Sequence, residues 1–385
     1  MELVANWNYP TSYILGAGRI NSLAENALAM DMKRPLIVTD PGLATFEFMQ
    51  NMHTALNMAG LGAQVFSDIK ANPTGGNVAG GVAVYREGGH DGVIAVGGGS
   101  ALDAAKAIAL VAGQTGTLWD YVGDENVAKV NADAVPPIIA VPTTAGTGSE
   151  VGRASVITDE NAHIKKIVFH PKMMPGLVIA DPELTVGLPA GLTAATGMDA
   201  LSHNLEAYCA PGYHPMAVGI SVEGMRLIKD WLPVAFKDGS NIEARSHMLV
   251  ASSMGATAFQ RGLGAMHALA HPLGALYDAH HGTLNAVLMP YVLVANKPVI
   301  ENRIDDLTRM LGFEKTGFTP FLDWVLETRE SLKMPHTLAE IGIDDSKAAL
   351  VGQMAAVDPT ADTNSILFDA AIYSEIFRKS VRGKL

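Results

Sequence analysis

The sequence predicts an α/β domain of parallel βα units followed by a mostly helical domain. Three observations lead there. Short β-branched runs alternate with helix-like runs through the first half; the alternation stops after Asp181; and beyond it Met, Ala and Leu recur at helical spacing to the C-terminus. A chain of 385 residues suits two or three domains at roughly 150 residues each. The change of pattern divides it near residue 183, giving an α/β domain over 1–183 and a helical one over 184–385.

Taken in order, PLIVTD (35–40) reads as a buried strand ending at a loop, with a helical stretch following over 46–58. AQVFSD (63–68) is the next strand. GVIAVGGGS (92–100) is the third and leads into the helix LDAAKAIALVA, and PPIIAVPTT (136–144) is the fourth, opening into the small-residue loop AGTGSE. ASVITD (154–159) and KKIVFH (165–170) flank the polar tip ENAH as a hairpin, and GLVIAD (176–181) closes the series. The glycines and prolines of PELTVGLPAGLTAATG suit a linker and a helix start.

Composition excludes several classes. With 48% hydrophobic and 17% charged residues the chain carries ample core material and too little charge for disorder. A net charge of −12 offers no basic field for nucleic acid or an anionic membrane. The single cysteine, Cys209, forms no internal disulfide, which fits a reducing, cytoplasmic setting. The first residues, MELVANWNYP, lack the charged start and apolar run of a secretory leader. The most apolar stretch, 92–113, is interrupted by Asp103 and Lys106, so no membrane span is expected.

The first half carries two glycine-rich loops. Gly97, Gly98 and Gly99 lie between a strand and a helix, where the backbone approaches a ligand closely and free N–H groups attract an anion such as a pyrophosphate. Ser100 and Asp103 form an S-x-x-D pair that suits a helix cap. A tight turn without ligand explains the same residues, and the G-x-G-x-x-G fingerprint is absent. The second loop, with Thr143, Thr144, Gly146, Thr147, Gly148 and Ser149, follows another strand at the presumed carboxyl edge of the same sheet. Asp40, at the end of PLIVTD, either accepts hydrogen bonds from a ribose diol or caps the next turn.

The second half concentrates histidine. Of the 12 histidines, His203, His267, His271, His280 and His281 fall in one stretch. Asp199 and His203 are spaced to share one helix face, in a helix that Thr193 is placed to cap; His267 and His271 share a face in the same way. Spacing alone pairs Asp199, His203, His267 and His271 around one divalent first-row cation, the lack of cysteine disfavouring soft metals. Pro272 disfavours helix at His271 and is expected to end or kink it.

GGGSALDAAK, PTTAGTGSEV, ATGMDALSHNLEAY and HALAHPLGALYDAHHG, in that order and spacing, resemble the iron-containing (group III) alcohol dehydrogenase family. The resemblance spans the whole chain and weakens after about residue 295. It implies a Rossmann-like, dinucleotide-binding parallel-sheet domain and an all-α metal-binding domain, with metal and nicotinamide in a cleft between them. Carried over, the family pattern makes Asp199, His203, His267 and His281 the metal ligands, and moves His271 to the nicotinamide and substrate. Gly98, Gly99, Ser100 and Asp103 fall in the pyrophosphate segment, Thr143, Thr144 and Ser149 in the second loop, Lys165 faces the ribose, and Asn72 lies beside the adenosine. Asp40 matches the acidic position associated with NAD preference. The Asn-Pro-Arg stretch common in the family is replaced by DPTADTNSILFD around Asn364.

The implied activity is hydride transfer between NAD(H) and a small primary alcohol or aldehyde, with Fe²⁺, Zn²⁺ or another divalent metal stabilising the alkoxide and His271 relaying the proton. A sugar-phosphate lyase or cyclase of the dehydroquinate synthase type is the competing expectation. It requires basic residues near the metal, of which Arg261 is the nearest in sequence. Neither nucleic acid nor membrane is an expected partner, and the Met-rich helical domain suits a homodimer.

Overall fold

The computed structural model describes residues 10–162 and 164–385. Residues 1–9, where no leader is expected, and His163 in the hairpin tip lie outside that range. The described chain forms two compact units. One contains the residues up to Thr144 and Gly148–Gly187, the other Ala145–Thr147 and Leu188–Leu385.

The first unit is built from β1 (Ser12–Leu15), α1 (Leu23–Ala29), β2 (Pro35–Val38), α2 (Glu47–Met58), β3 (Gln64–Phe66), α3 (Gly75–Glu87), β4 (Gly92–Gly97) and α4 (Gly99–Ala112). β5 (Ile138–Pro142), β6 (Ala154–Asp159), β7 (Ile164–Phe169) and β8 (Leu177–Ala180) complete it. Six strands form one parallel sheet in the order β1-β8-β5-β4-β2-β3, while β6 and β7 pair as the antiparallel hairpin expected from their sequence. Every residue of β2, β4, β5 and β8 is buried, as unbroken apolar runs require of a sheet covered on both faces. Ile37, Ile94, Val96, Ile139, Val141 and Ile179 pack against Leu23 of α1 and Met49, Met52 and Leu56 of α2.

The strand order sets where a ligand fits. β2 sends the chain outward to β3 at the sheet edge, whereas its neighbour β4 sends it the other way, to β5. Adjacent parallel strands with diverging connections leave a crevice at their carboxyl ends, the usual ligand position in open α/β sheets.

The second unit holds α5 (Ala190–Cys209), α6 (Pro215–Lys237), α7 (Ile242–Ala258), α8 (Ala265–Tyr277), α9 (His281–Met310), α10 (Phe318–Ser331), α11 (Ala348–Ala356) and α12 (Ala370–Arg382). α5 is buried along most of its length and packs against α6, α7 and α9. By length and composition α9 could cross a bilayer, contrary to the expectation of no such segment, but 67% of its apolar window is buried inside the molecule.

Four local expectations are corrected. The short turn Pro182–Thr185 belongs to the sheet unit rather than opening the helical one: the buried Asp181 accepts from the backbone N–H groups of Ile20 at 2.9 Å and Glu183 at 3.0 Å. Thr193 does not cap α5. It lies inside the helix and accepts from Arg245 Nη1 at 2.8 Å. Ser100 and Asp103 form no cap either, because α4 begins at Gly99 and places both within the helix. Nor does Pro272 end α8, which runs on to Tyr277 and stops at Asp278, in the left-handed region at φ 52°.

Candidate functional site

In the helical unit, Asp199, His203, His267 and His281 each offer one ligand atom, and these atoms lie within 4.8 Å of one another. Asp199 and His203 come from one face of α5, His267 from the first turn of α8, and His281 from the first residue of α9. The turn at Asp278 brings His281 back to this point. His280, which the sequence left without a role, is the N-cap of α9, its Nδ1 accepting from Thr283 N–H at 3.4 Å. Gly282 permits the approach of α9 to α5, since a Cβ there would stand 2.3 Å from the carbonyl oxygen of Ala195.

Hydrogen-bond partners hold Asp199, His203 and His267. His267 Nδ1 lies 2.7 Å from Glu206 Oε2, and the same carboxylate accepts from the backbone N–H groups of Gly264 at 2.8 Å and Met266 at 2.7 Å. His203 Nδ1 lies 3.2 Å from the carbonyl oxygen of Gly146. Donation from Nδ1 to these oxygens leaves Nε2 as the ligating atom on both rings, the arrangement that fixes tautomer and direction around bound metals. Asn285, one turn beyond His281, donates from Nδ2 to Asp199 Oδ1 at 2.8 Å. Burial pushes His203 down to about 4, only partly opposed by Asp199, so it is neutral and needs to lose no proton to bind a cation. Burial also acts to lower His267, but the charge and hydrogen bond of Glu206 outweigh it and leave its pKa raised. Three imidazoles and one carboxylate, without sulfur and all buried except the partly exposed His281, fit a divalent first-row cation.

His271 is not among these donors, which corrects the set drawn from spacing. Its ring stacks on His281 at 5.7 Å between centroids, and its Nδ1 lies 2.8 Å from Asp358 Oδ2. Burial raises the Asp358 carboxyl, but hydrogen bonds and charge from His271, with Thr360, bring it below the usual carboxylate range. Glu206 and Asn285 escaped the sequence reading although each had a signal. Glu206 continues the Asp199, His203 face of α5, and Asn285 lies one turn after His281. Asp358 had none, being 87 residues from its partner.

In the sheet unit the candidate residues gather where the connections diverge. Gly97 ends β4 at φ 142°, a conformation that favours glycine, and a Cβ there would stand 2.8 Å from Ala101 Cβ and 3.7 Å from Asp40 Oδ2. Asp40 Oδ1 also accepts from Leu43 N–H at 2.9 Å, so it caps the following turn as well. Gly98 abuts Thr144, whose Oγ1 would lie 3.1 Å from a Cβ on that glycine, and Thr143 N–H donates to Gly97 O at 3.0 Å. No side chain caps α4, whose first turn starts at Gly99, while Ser100 Oγ donates to the carbonyl of Ala71. Lys165 Nζ lies 3.0 Å from Asn72 Oδ1, joining two residues expected on the nucleotide.

Asp103 supports the second loop from behind. Its Oδ1 accepts from Ser149 Oγ at 2.5 Å and its Oδ2 from Val156 N–H at 2.8 Å. Lys106, fully buried one turn later, donates to the carbonyls of Ser149 at 3.0 Å, Gly152 at 3.3 Å and Ala154 at 2.5 Å. Burial pushes the Lys106 ammonium down, opposed by Asp103. Two charged residues on an otherwise mostly apolar helix were the sequence signal for this support.

Known proteins bear on these two sites. Residues 10–182 match the family profile described as iron-containing alcohol dehydrogenase, and residues 193–381 match the profile of its C-terminal part. The chain is 39% identical to 4-hydroxybutyrate dehydrogenase of Cupriavidus necator, over 97% of this chain and 99% of that protein. It is 34% identical to NAD-dependent methanol dehydrogenase of Bacillus methanolicus, over 94% of this chain and 96% of that one. The crystal structure of a 1,3-propanediol oxidoreductase superposes with a TM-score of 0.93 at 34% identity, covering 98% of this chain and 100% of that chain.

Proposed function

The chain belongs to the iron-containing alcohol dehydrogenase family and is a metal-dependent oxidoreductase of alcohols and aldehydes; from that premise we propose which of its residues serve the reaction. Asp199, His203, His267 and His281 hold the divalent metal, taken as Fe²⁺ with Zn²⁺ as the competing occupant. NAD(H) is the hydride carrier, its pyrophosphate at Gly98, Gly99 and Ser100, its ribose at Asp40, and Thr143, Thr144, Asn72 and Lys165 along its length. Substrate is a small primary alcohol or aldehyde, in keeping with relatives named for 4-hydroxybutyrate, methanol and 1,3-propanediol.

The observation that carries this is the convergence of four donor atoms within 4.8 Å, with Glu206 and Gly146 orienting two of the rings. When bound, the metal supplies Lewis-acid polarisation of the substrate oxygen and the nicotinamide accepts or returns hydride. The protein's own part is to keep the donor rings pointed, to present backbone N–H groups at the start of α4 to phosphate, and to move the hydroxyl proton at His271 Nε2. A lyase or cyclase acting on a sugar phosphate is disfavoured. The guanidinium of Arg261 is committed to the carbonyls of Ala207 at 3.0 Å, Tyr208 at 2.5 Å and Gly212 at 3.0 Å.

Elemental analysis of protein purified without chelator, followed by NAD reduction with 4-hydroxybutyrate, methanol, 1,3-propanediol and longer alcohols, tests the assignment. Asp199→Ala should lose bound metal and turnover together, and retention of both would overturn it. Light scattering tests the proposed dimer, and fractionation of the source cells the proposed cytoplasmic location.

A further inference from the structure

We infer that Asp358 is a positioning residue for His271, and that the 358–364 segment, atypical in sequence, is the strap that holds it to α8. The inference rests on the proposed place of His271 beside the substrate and adds the group that gives this imidazole one orientation and one tautomer.

The strap is fastened at both ends. At its start, Asp358 Oδ2 faces His271 Nδ1 at 2.8 Å, while Oδ1 accepts from Thr360 N–H at 2.9 Å and Thr360 Oγ1 at 2.6 Å. At its end, Thr363 Oγ1 donates to Leu263 O at 2.9 Å, and Asn364 Oδ1 accepts from Ala265 N–H, the first residue of α8, at 3.1 Å. Asn364 is itself locked by a reciprocal pair with Asn296, both bonds at 3.0 Å. The carboxylate therefore cannot turn without breaking its bonds to Thr360, and α8 cannot shift away from it.

A carboxylate at Nδ1 accepts a hydrogen bond from Nδ1–H, which keeps the proton on that nitrogen and leaves Nε2 with the lone pair. His271 is also confined sideways, stacked on His281 at 12° between planes and edge-on to His267 at 69°. With Nδ1 engaged, Nε2 is the nitrogen left to accept the substrate's proton. Three donors, from His271 and Thr360, converge on the Asp358 side chain, which only a carboxylate accepts in full; an amide offers one oxygen and turns an N–H toward a donor.

The experiment uses metal-loaded, full-length protein and the variants Asp358→Asn, Asp358→Ala and Asp358→Glu. For Asp358→Asn, kcat should fall about 10- to 100-fold, the usual cost of losing a group that orients a working imidazole. KM for the alcohol, metal content and melting temperature should stay at wild-type values, and Asp358→Glu should recover part of kcat. Protein labelled with ¹⁵N-histidine gives a second readout: the His271 signal, identified by its loss in His271→Gln, should show the Nδ1–H form in wild type and a mixture of forms in Asp358→Ala. Unchanged kcat and an unchanged His271 signal in the variants overturn the inference. So does a kcat loss accompanied by loss of metal or of fold, which marks a structural role only. If the wild-type enzyme reduces NAD with no alcohol in the panel, the functional reading fails, while the ¹⁵N signal still decides the pairing of Asp358 with His271.

Discussion

The two units of this chain build their candidate sites from opposite materials. In the sheet unit the residues proposed to meet the dinucleotide are mostly backbone and small side chains, Gly97, Gly98, Gly99, Thr143 and Thr144 at strand ends, with the ionic residues Asp103 and Lys106 behind the second loop. In the helical unit the candidate ligand atoms are side chains on three helices, and two of the three donor rings are oriented by another group, Glu206 for His267 and the Gly146 carbonyl for His203. A phosphate is diffuse and is met by several N–H groups at once, so loop shape matters more than any one side chain. A metal demands a few atoms at fixed directions, so each ring needs its own restraint. Damage from a single substitution should therefore stay local and differ in kind between the units.

The largest effect is expected in the sheet unit, at its hidden support. Lys106→Met removes the ammonium from three carbonyl oxygens and leaves Asp103 without its cation at 3.2 Å. Removing one partner of a fully buried pair costs about 3–5 kcal/mol, and the partly exposed Asp103 sets that as the upper bound here. Thermal unfolding should register that loss and the KM for NAD should rise. Metal affinity, measured by chelator competition, should stay unchanged, and a loss of metal equal to that of Asp199→Ala would erase the contrast between the units. Next comes Glu206→Gln, which keeps the size of the side chain but removes the carboxylate facing His267 Nδ1 and two backbone N–H groups. Metal affinity should fall about 10- to 100-fold, while NAD binding, followed by fluorescence quenching, should not move.

The same contrast governs what could be read from sequence. β2, β4, β5 and β8 were legible because central parallel strands need unbroken apolar runs, and the β6–β7 hairpin by its two β-branched runs around a polar tip. β1 was missed: it is an edge strand of four residues with a weak pattern. α3 was missed because GGNVAGGVAVYRE is rich in glycine, a poor helix former; the Thr74–Asn77 capping box and packing on α4 make the helix in spite of it. Asp199 and His203 were visible as one helix face. The choice of His281 over His271 was not visible in spacing, because it depends on the left-handed turn at Asp278 rather than on the proline that drew attention. The family pattern supplied that choice, and the geometry supplied its cause.

The smallest predicted effect tests the acidic residue of the sheet unit that is proposed to face the ribose. Asp40 has two jobs that geometry lets one separate: Oδ1 caps the turn at Leu43 N–H, 2.9 Å away, while Oδ2 lies on the Gly97 side of the crevice. Serine retains an oxygen able to cap the turn and discards the negative charge. A 2′-phosphate brought near that carboxylate meets like-charge repulsion, screened at this half-buried position to a little over 1 kcal/mol, or about tenfold in affinity. Asp40→Ser should therefore raise the ratio of kcat/KM for NADP to that for NAD about tenfold, with melting temperature and metal content unchanged. An unchanged ratio would leave Asp40 as a turn cap alone and move the choice of coenzyme to the backbone of the loop, sharpening the view that this unit recognises its ligand with shape rather than with charge.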